Sequence, residues 1–205
     1  NIFKKNGLTV PKCLIIEKSF EGNLYTKIKK KKINFPIVLK PINEGSSLGV
    51  YICNNKKQIS INYKKLIKDY DRVLLEEYIP GREIQVAVMG DRALGAIELI
   101  PKRKFYDYKA KYSNAAKTKH VMPAPLTKKK YRDVLNLAKK AHNLLGCRGI
   151  TRSDFRFFRG NFYILETNTQ PGMTKLSLVP EIAKYVGINF EDLVVWMLKD
   201  ASYNK

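Results

Sequence analysis

Apolar and polar positions along this chain follow two alternating periods. Phe35-Pro36-Ile37-Val38-Leu39-Lys40 is a short run with β-branched residues, ended by a Lys-Pro step, and predicts a strand. Val50–Cys53 predicts a second strand, Ile59–Asp69 a helix and Arg72–Tyr78 a third strand. Glu83–Met89 alternates with period two, Gly90-Asp91 supplies a hairpin turn, and Leu94–Ile100 returns from it. Tyr131, Val134, Leu135, Ala138, Ala141, Leu144 and Leu145 recur at helical spacing, so Lys128–Leu145 reads as a helix stopped by Gly146. Ile150–Phe158 and Phe162–Leu165 flank Arg159-Gly160-Asn161, a hairpin signal. Leu178–Leu198 gives two amphipathic helices around Gly187. At the other end, Gly7-Leu8-Thr9-Val10-Pro11 reads as a helix stop followed by extended chain. Residues 102–122 are polar, rich in Tyr and Lys and without clear period; they read as one long loop, of a length that is often functional.

Hairpins dominate and no regular strand–helix–strand alternation is present, so the fold class is α+β with antiparallel sheets. The Pro80-Gly81 turn divides the chain into a small first part, 1–80, and a larger second part, 81–205. A hydrophobic fraction of 44% in 205 residues is ordinary for a protein with a buried core. No stretch reaches the roughly 18 apolar residues of a membrane span, and Asn1–Val10 carries lysines with no apolar run behind them, so no secretory signal is expected. The chain begins at Asn rather than Met, as a piece of a longer protein would. Cys13, Cys53 and Cys147 are widely spaced and odd in number, which suits free thiols in a reducing cytoplasm. The formal net charge is +21, but most of the 39 basic residues are scattered lysines, and Lys29–Lys32 and Lys128–Lys130 read as solvated segments. Lysine matches bases and phosphates less specifically than arginine. Neither a nucleic-acid partner nor a membrane is expected.

Five polar motifs carry the candidate chemistry. In the first, Lys40 precedes the loop Glu44-Gly45-Ser46-Ser47-x-Gly49. Its glycines allow backbone N–H groups to turn toward an anion, Ser46 and Ser47 add donors, and Lys40 adds a point charge. The pattern is neither a Walker A nor a Rossmann fingerprint, and by itself it serves equally as a plain hairpin turn. Asp154, Glu166 and Asn168 form the strongest cluster. Asp154 lies on the first strand of the second hairpin, while Glu166 and Asn168, two apart on the next, share a face. Two carboxylates and an amide oxygen are hard ligands suited to Mg²⁺ or Mn²⁺; a hydrated polar strand end is the plain alternative. Arg152 shares the face of Asp154 and can stabilise an oxyanion or simply pair with a carboxylate. Gly172, in Pro171-Gly172-Met173-Thr174, allows close backbone approach to a ligand. Ser177 is a carboxylate donor or a helix N-cap. Glu76 and Glu83 bracket the Pro80-Gly81 boundary and suit ribose hydroxyls or an amino group, or surface ion pairs. Lys111 and Tyr112 lie in the long loop and can close over a ligand as a lid. His120 and His142 lack partners at metal-ligand spacing and read as structural, and Trp196 reads as core.

Taken together, these motifs resemble the D-alanine–D-alanine ligase family, ATP-grasp enzymes of bacterial cell-wall synthesis. The similarity runs from Gly7-Leu8-x-Val10-Pro11 to Ser177-Leu178-Val179-Pro180, and Phe105-Tyr106-Asp107-Tyr108-x-Ala110-Lys111-Tyr112 and Glu166-x-Asn168-Thr169-x-Pro171-Gly172-Met173-Thr174 are its most specific parts. The resemblance implies two α+β lobes enclosing ATP, with 1–80 as the central lobe and 81–205 as the C-terminal lobe. It implies that Lys40 and Ser47 meet the ATP phosphates, Glu76 the adenine, Glu83 the ribose and Lys111 the γ-phosphate. Two divalent cations would be held, one by Asp154 and Glu166 and the other by Glu166 and Asn168. Arg152 and the Gly172 N–H would stabilise a tetrahedral intermediate, Ser177 would bind the carboxylate of the second D-alanine, and Ser46 and Tyr112 would form a link that orients substrate and closes the loop. The family's N-terminal domain, which handles the first D-alanine, has no counterpart in these 205 residues. A homodimer formed through the full-length protein, and a fragment that binds Mg-ATP but turns over poorly, are the corresponding expectations. A different carboxylate–amine substrate pair, an inactive ATP-binding fragment and a basic nucleic-acid binder are the competing readings.

Overall fold

A computed structural model of the chain describes residues 2–45, 47–101, 118–174 and 176–202. It divides into two compact units: a smaller one built on Pro11–Ile79, and a larger one comprising the residues up to Val10, Pro80–Ile100 and those from Lys119 onward.

The smaller unit is one antiparallel sheet under two helices. Its strands are β1 (Cys13–Glu17), β2 (Ile37–Pro41), β3 (Tyr51–Cys53) and β4 (Arg72–Glu77), in the order β1-β4-β2-β3. Leu14, Ile16, Ile37, Leu39, Val73 and Leu75 project from one face and bury against Ile28, Ile59 and Leu66. Ile28 comes from a helix at Leu24–Lys30, and Ile59 and Leu66 from one at Lys56–Asp69. The side chains of Asn23 and Asn55 cap these two helices by accepting backbone N–H bonds from Tyr25 and Gln58. Neither β1 nor the Leu24–Lys30 helix carries a strong sequence signal. Ile15 in the middle of β1 is 52% exposed, so its apolar residues do not alternate with polar ones. Only Ile28 of the seven-residue helix is buried, and three of its other residues are lysines.

The larger unit starts with a short helix, Ile2–Lys5, which we label α1; the two helices of the smaller unit are then α2 and α3. Its sheet contains β5 (Arg82–Met89), β6 (Arg92–Ile100), β7 (Lys119–Val121), β8 (Ile150–Phe158) and β9 (Asn161–Asn168), in the order β7-β6-β5-β8-β9, antiparallel throughout. Helix α4 (Lys128–Leu144) lies across it, and Val134, Ala138 and Ala141 meet Ile84, Val86, Val88, Ala96, Phe155, Phe162 and Ile164. Residues up to Val10 join this unit: Leu8 is part of its core and Ile164 N–H donates to Thr9 O at 2.9 Å. Helices α5 (Leu178–Tyr185) and α6 (Phe190–Asp200) follow, α5 packing on β5, β6 and α6.

The α+β class and antiparallel sheets match the expectation from hairpin spacing. The loop reading of 102–122 changes at its C-terminal end: Lys119–Val121 pairs with Glu98–Ile100 as edge strand β7. Three residues are too few to display a period, so pattern alone could not separate this strand from a loop. Residues 102–117, with Lys111 and Tyr112, lie outside the described residues, as does Ser46.

Candidate active site

In the smaller unit, Lys40 and Glu76 lie on the sheet face opposite α2 and α3. Val38 is the register partner of Glu76, and Lys40 is two positions further along β2. Lys40 Nζ reaches Glu76 Oε1 at 2.8 Å, and Glu76 is only 7% exposed. The loop from β2 to β3 turns where Leu48 N–H donates to Gly45 O at 2.9 Å, with Ser47 at φ 61°. Gly49 is required: at φ +68° a Cβ would also fall 2.9 Å from Pro41 Cγ. This builds a polar strand end and a tight loop beside it, and Lys40 and Ser47 both belong to it.

In the larger unit, a break in strand register assembles the cluster. Phe155 and Phe157 of β8 point into the core beside Ile164 and Phe162 of β9, their register partners. Simple alternation would put Glu166 on that same core face. The register shifts between Asp154 and Phe155, leaving Leu165 as the extra residue on β9. Beyond this bulge Asp154 stands opposite Glu166 and Arg152 opposite Asn168, all on the face away from the α4-covered core. Directly opposed residues have Cβ atoms roughly 5 Å apart. On the core face Ser153 Oγ and Thr167 Oγ1 meet at 2.9 Å, which confirms the switched parity.

Arg152 grips Asp154 with two parallel bonds, Nε to Oδ1 at 2.7 Å and Nη2 to Oδ2 at 2.9 Å, and Asp154 is 7% exposed. Of the two sequence readings of Arg152, the carboxylate pair is the one seen. The same face continues into β5. Glu83 accepts from Arg156 Nη1 at 3.3 Å, and Arg156 Nη2 also donates to Gly81 O at 2.7 Å. Gln85, between Glu83 and Ala87, is the register partner of Asp154.

Past β9 the chain forms the Pro171–Thr174 segment. A Cβ on Gly172 would lie 3.0 Å from Ser177 Oγ, so the glycine allows the two to approach closely. Ser177 occupies the N-cap position of α5, yet its hydroxyl makes no cap bond; it accepts from Thr174 N–H at 3.1 Å and meets Thr174 Oγ1 at 2.9 Å. The hydroxyl thus belongs to the loop carrying Gly172.

The two histidines are structural in different ways. His142 is buried, its Nδ1 lies 2.8 Å from Thr151 Oγ1, and burial holds its pKa below the ordinary histidine value. His120 Nδ1 meets Glu181 Oε2 at 2.7 Å, joining β7 to the first turn of α5. Trp196 is half-buried, packed over Gly90. All three cysteines are free thiols.

The donor set at Asp154, Glu166 and Asn168 is all oxygen, two anionic and one neutral, which fits a hard divalent cation. Among the described residues no group of three or more His, Cys, Asp and Glu side chains is placed to hold a metal ion, so a cation here needs the Asn168 amide as well as the two carboxylates. Pattern reading did not single out Arg156, Gln85 or Thr174. For Gln85 the signal was available: with Glu83, it is the polar half of an alternation whose apolar half is Ile84, Val86 and Val88.

Residues 2–199 match the profile of the family described as D-ala D-ala ligase C-terminus. The D-alanine–D-alanine ligase of Pelagibacter ubique is 55% identical over 204 residues, covering all of this chain and 66% of that protein. A D-alanine–D-alanine ligase from Bacillus anthracis, solved as a complex with ATP, superposes with a TM-score of 0.82 at 25% identity, covering 97% of this chain and 62% of that one. The VanG D-Ala:D-Ser ligase of Enterococcus faecalis superposes with a TM-score of 0.85 at 26% identity, over 97% of this chain and 58% of that one. The chain therefore spans just under two thirds of the length of these relatives.

Proposed function

The chain belongs to the family of D-alanine–D-alanine ligase C-terminal domains, with the ATP-grasp fold, and from that premise we propose that it is the ATP-binding part of a ligase joining two D-alanines for peptidoglycan synthesis. In this reading the expected boundary between 80 and 81 separates the central from the C-terminal lobe, with the residues up to Val10 packed on the C-terminal one. The protein is cytoplasmic, and the full-length enzyme is a homodimer.

The chain's own groups divide the work. Lys40, Ser47 and Lys111 bind the phosphates of ATP, Glu76 takes the adenine amino group and Glu83 the ribose. Asp154 and Glu166 hold one Mg²⁺ or Mn²⁺, and Glu166 and Asn168 a second. Bound there, the two cations would supply positive charge to the transferring phosphoryl group. The carboxylate of the first D-alanine attacks the γ-phosphate to give an acyl phosphate, and the amine of the second then displaces phosphate. Arg152 and the Gly172 N–H stabilise the charge that develops on the acyl oxygen. Ser177 orients the second D-alanine through its carboxylate, and Ser46 and Tyr112 close the site against water.

The observation that carries this reading is the bulge after Asp154, which brings Asp154, Glu166 and Asn168 to one face beside Arg152. The test is ATP binding by the 205-residue chain with and without Mg²⁺, followed by phosphate release with D-alanine and with other amino acids. Binding that requires the cation and is lost in Glu166→Gln is expected, with slow release selective for D-alanine. Binding indifferent to both the cation and Glu166→Gln would overturn the proposal.

A further inference from the structure

One polar group on the face of β5 and β8 has no partner. Gln85 is 1% exposed. Its Nε2 makes a long 3.4 Å contact to Glu83 Oε1, and its Oε1 is buried with no hydrogen bond. Leaving a buried amide oxygen unsatisfied is destabilising, and a buried group of this kind calls for an explanation. Gln85 stands opposite Asp154 across the β5–β8 ladder, and opposite Ile97 on the β6 side. The only polar register neighbour of the orphan oxygen is therefore the carboxylate expected to ligate a cation. An ionised carboxylate accepts hydrogen bonds and cannot donate one, so Asp154 cannot satisfy Gln85. Among the described residues no group donates to it, so the oxygen is open to a donor that the ligand brings.

We propose that Gln85 is a positioning residue of the cation site, its Oε1 accepting a hydrogen bond from a hydration water of the ion held by Asp154. This rests on the reading above, in which Asp154 holds Mg²⁺ or Mn²⁺. Mg²⁺ sheds its waters reluctantly and keeps several of them in protein sites, so acceptors for those waters belong to the site as much as the ligands do. Every other polar group described on this stretch of the face is engaged: Arg152 with Asp154, and Arg156 with Glu83. Among the described residues of this face, Gln85 Oε1 is the buried acceptor left without a hydrogen bond. Through its Nε2 it also steadies Glu83, so two routes of action have to be separated.

The experiment compares wild type, Gln85→Met and Gln85→Glu as 205-residue chains, with Mn²⁺ binding followed by electron paramagnetic resonance in the presence of ATP and, separately, of inorganic tripolyphosphate. Methionine keeps the volume and removes the acceptor; glutamate keeps the acceptor. Gln85→Met is expected to weaken Mn²⁺ binding about 10–100-fold with either polyphosphate, with an unchanged or raised melting temperature in the absence of ligand, because the unsatisfied oxygen is gone. Gln85→Glu is expected to bind Mn²⁺ at least as tightly as wild type. Weakening with ATP but not with tripolyphosphate places the effect on Glu83 and the ribose, and overturns the inference. Equal Mn²⁺ affinity in wild type and Gln85→Met also overturns it, while the cation reading of Asp154 survives. If wild type itself fails to bind Mn²⁺ with either polyphosphate, both fall together.

Discussion

The two units use the same plan and place their polar residues differently. Each is an antiparallel sheet with one face buried under helices and polar groups on the other. In the smaller unit the β1–β4–β2–β3 ladders run without a register break, and the candidate residues sit toward strand ends and in the β2–β3 loop. In the larger unit Arg152, Asp154, Glu166 and Asn168 occupy one end of the β8–β9 ladder, and only a bulge brings them to one face. Glu166 and Asn168 have the sequence parity of the core residues Phe162 and Ile164. Bringing them to the face of Arg152 and Asp154 while Phe162 and Ile164 still fill the core takes an extra residue that switches the facing.

The most severe way to break this contrast is to insert one alanine between Asp154 and Phe155, opposite Leu165. With Leu165 paired, regular alternation from Phe155 and Ile164 onward turns Asp154, Glu166 and Asn168 toward the face occupied by Phe162 and Ile164. Burying a carboxylate there costs several kcal/mol. We expect loss of more than about 3 kcal/mol of stability together with loss of cation-dependent ATP binding, read by urea denaturation and calorimetry. An insertion variant with wild-type stability and binding would show that the bulge does not set the facing.

A smaller effect sharpens the comparison from the other unit. Lys40→Met leaves the buried Glu76 without its 2.8 Å partner and is expected to cost about 1–3 kcal/mol. Adding Glu76→Gln is expected to restore most of that stability, since a neutral amide replaces the stranded carboxylate. ATP affinity is expected to stay low in the double variant if, as proposed, Lys40 and Glu76 meet the nucleotide. Recovery of both would mark the pair as purely structural.

The smallest effect concerns His142, in the larger unit's core. Burial lowers its folded pKa below 6.5. The unfolded chain therefore takes up a proton as pH falls past about 6.5 while the folded chain does not. The stability is fully present above that pH and declines below it, toward the folded pKa. His142→Gln is expected to flatten this decline by at most about 1.4 kcal/mol per pH unit, read as the difference in urea midpoints between pH 7.5 and 5.5.

Much of this architecture is legible from pattern because its elements are long and periodic. The α4 helix and the β5–β6 and β8–β9 hairpins all fall within a few residues of their sequence-derived bounds. The parts that escape are short or lysine-rich: β1, α2 and β7. At the site, the identities of Asp154, Glu166 and Asn168 are visible in the motifs, and their mutual placement is not. Glu166 and Asn168 share a face on any strand, but Glu166 also has the same parity as the core residues Phe162 and Ile164. Only the pairing register reveals that Leu165 is unpaired. Gln85 escapes because glutamine in a strand carries no motif, and its significance comes from the hydrogen bond it lacks.

The chelate between Arg152 and Asp154 has a consequence for the order of arrival. A bare metal ion approaching Asp154 must displace a guanidinium that already occupies both carboxylate oxygens and offer it nothing in return. An ion arriving already bound to a polyphosphate brings anionic oxygens to which that guanidinium can transfer. If Asp154 ligates the cation as proposed, the pair favours the pre-formed metal–nucleotide complex over its separate parts.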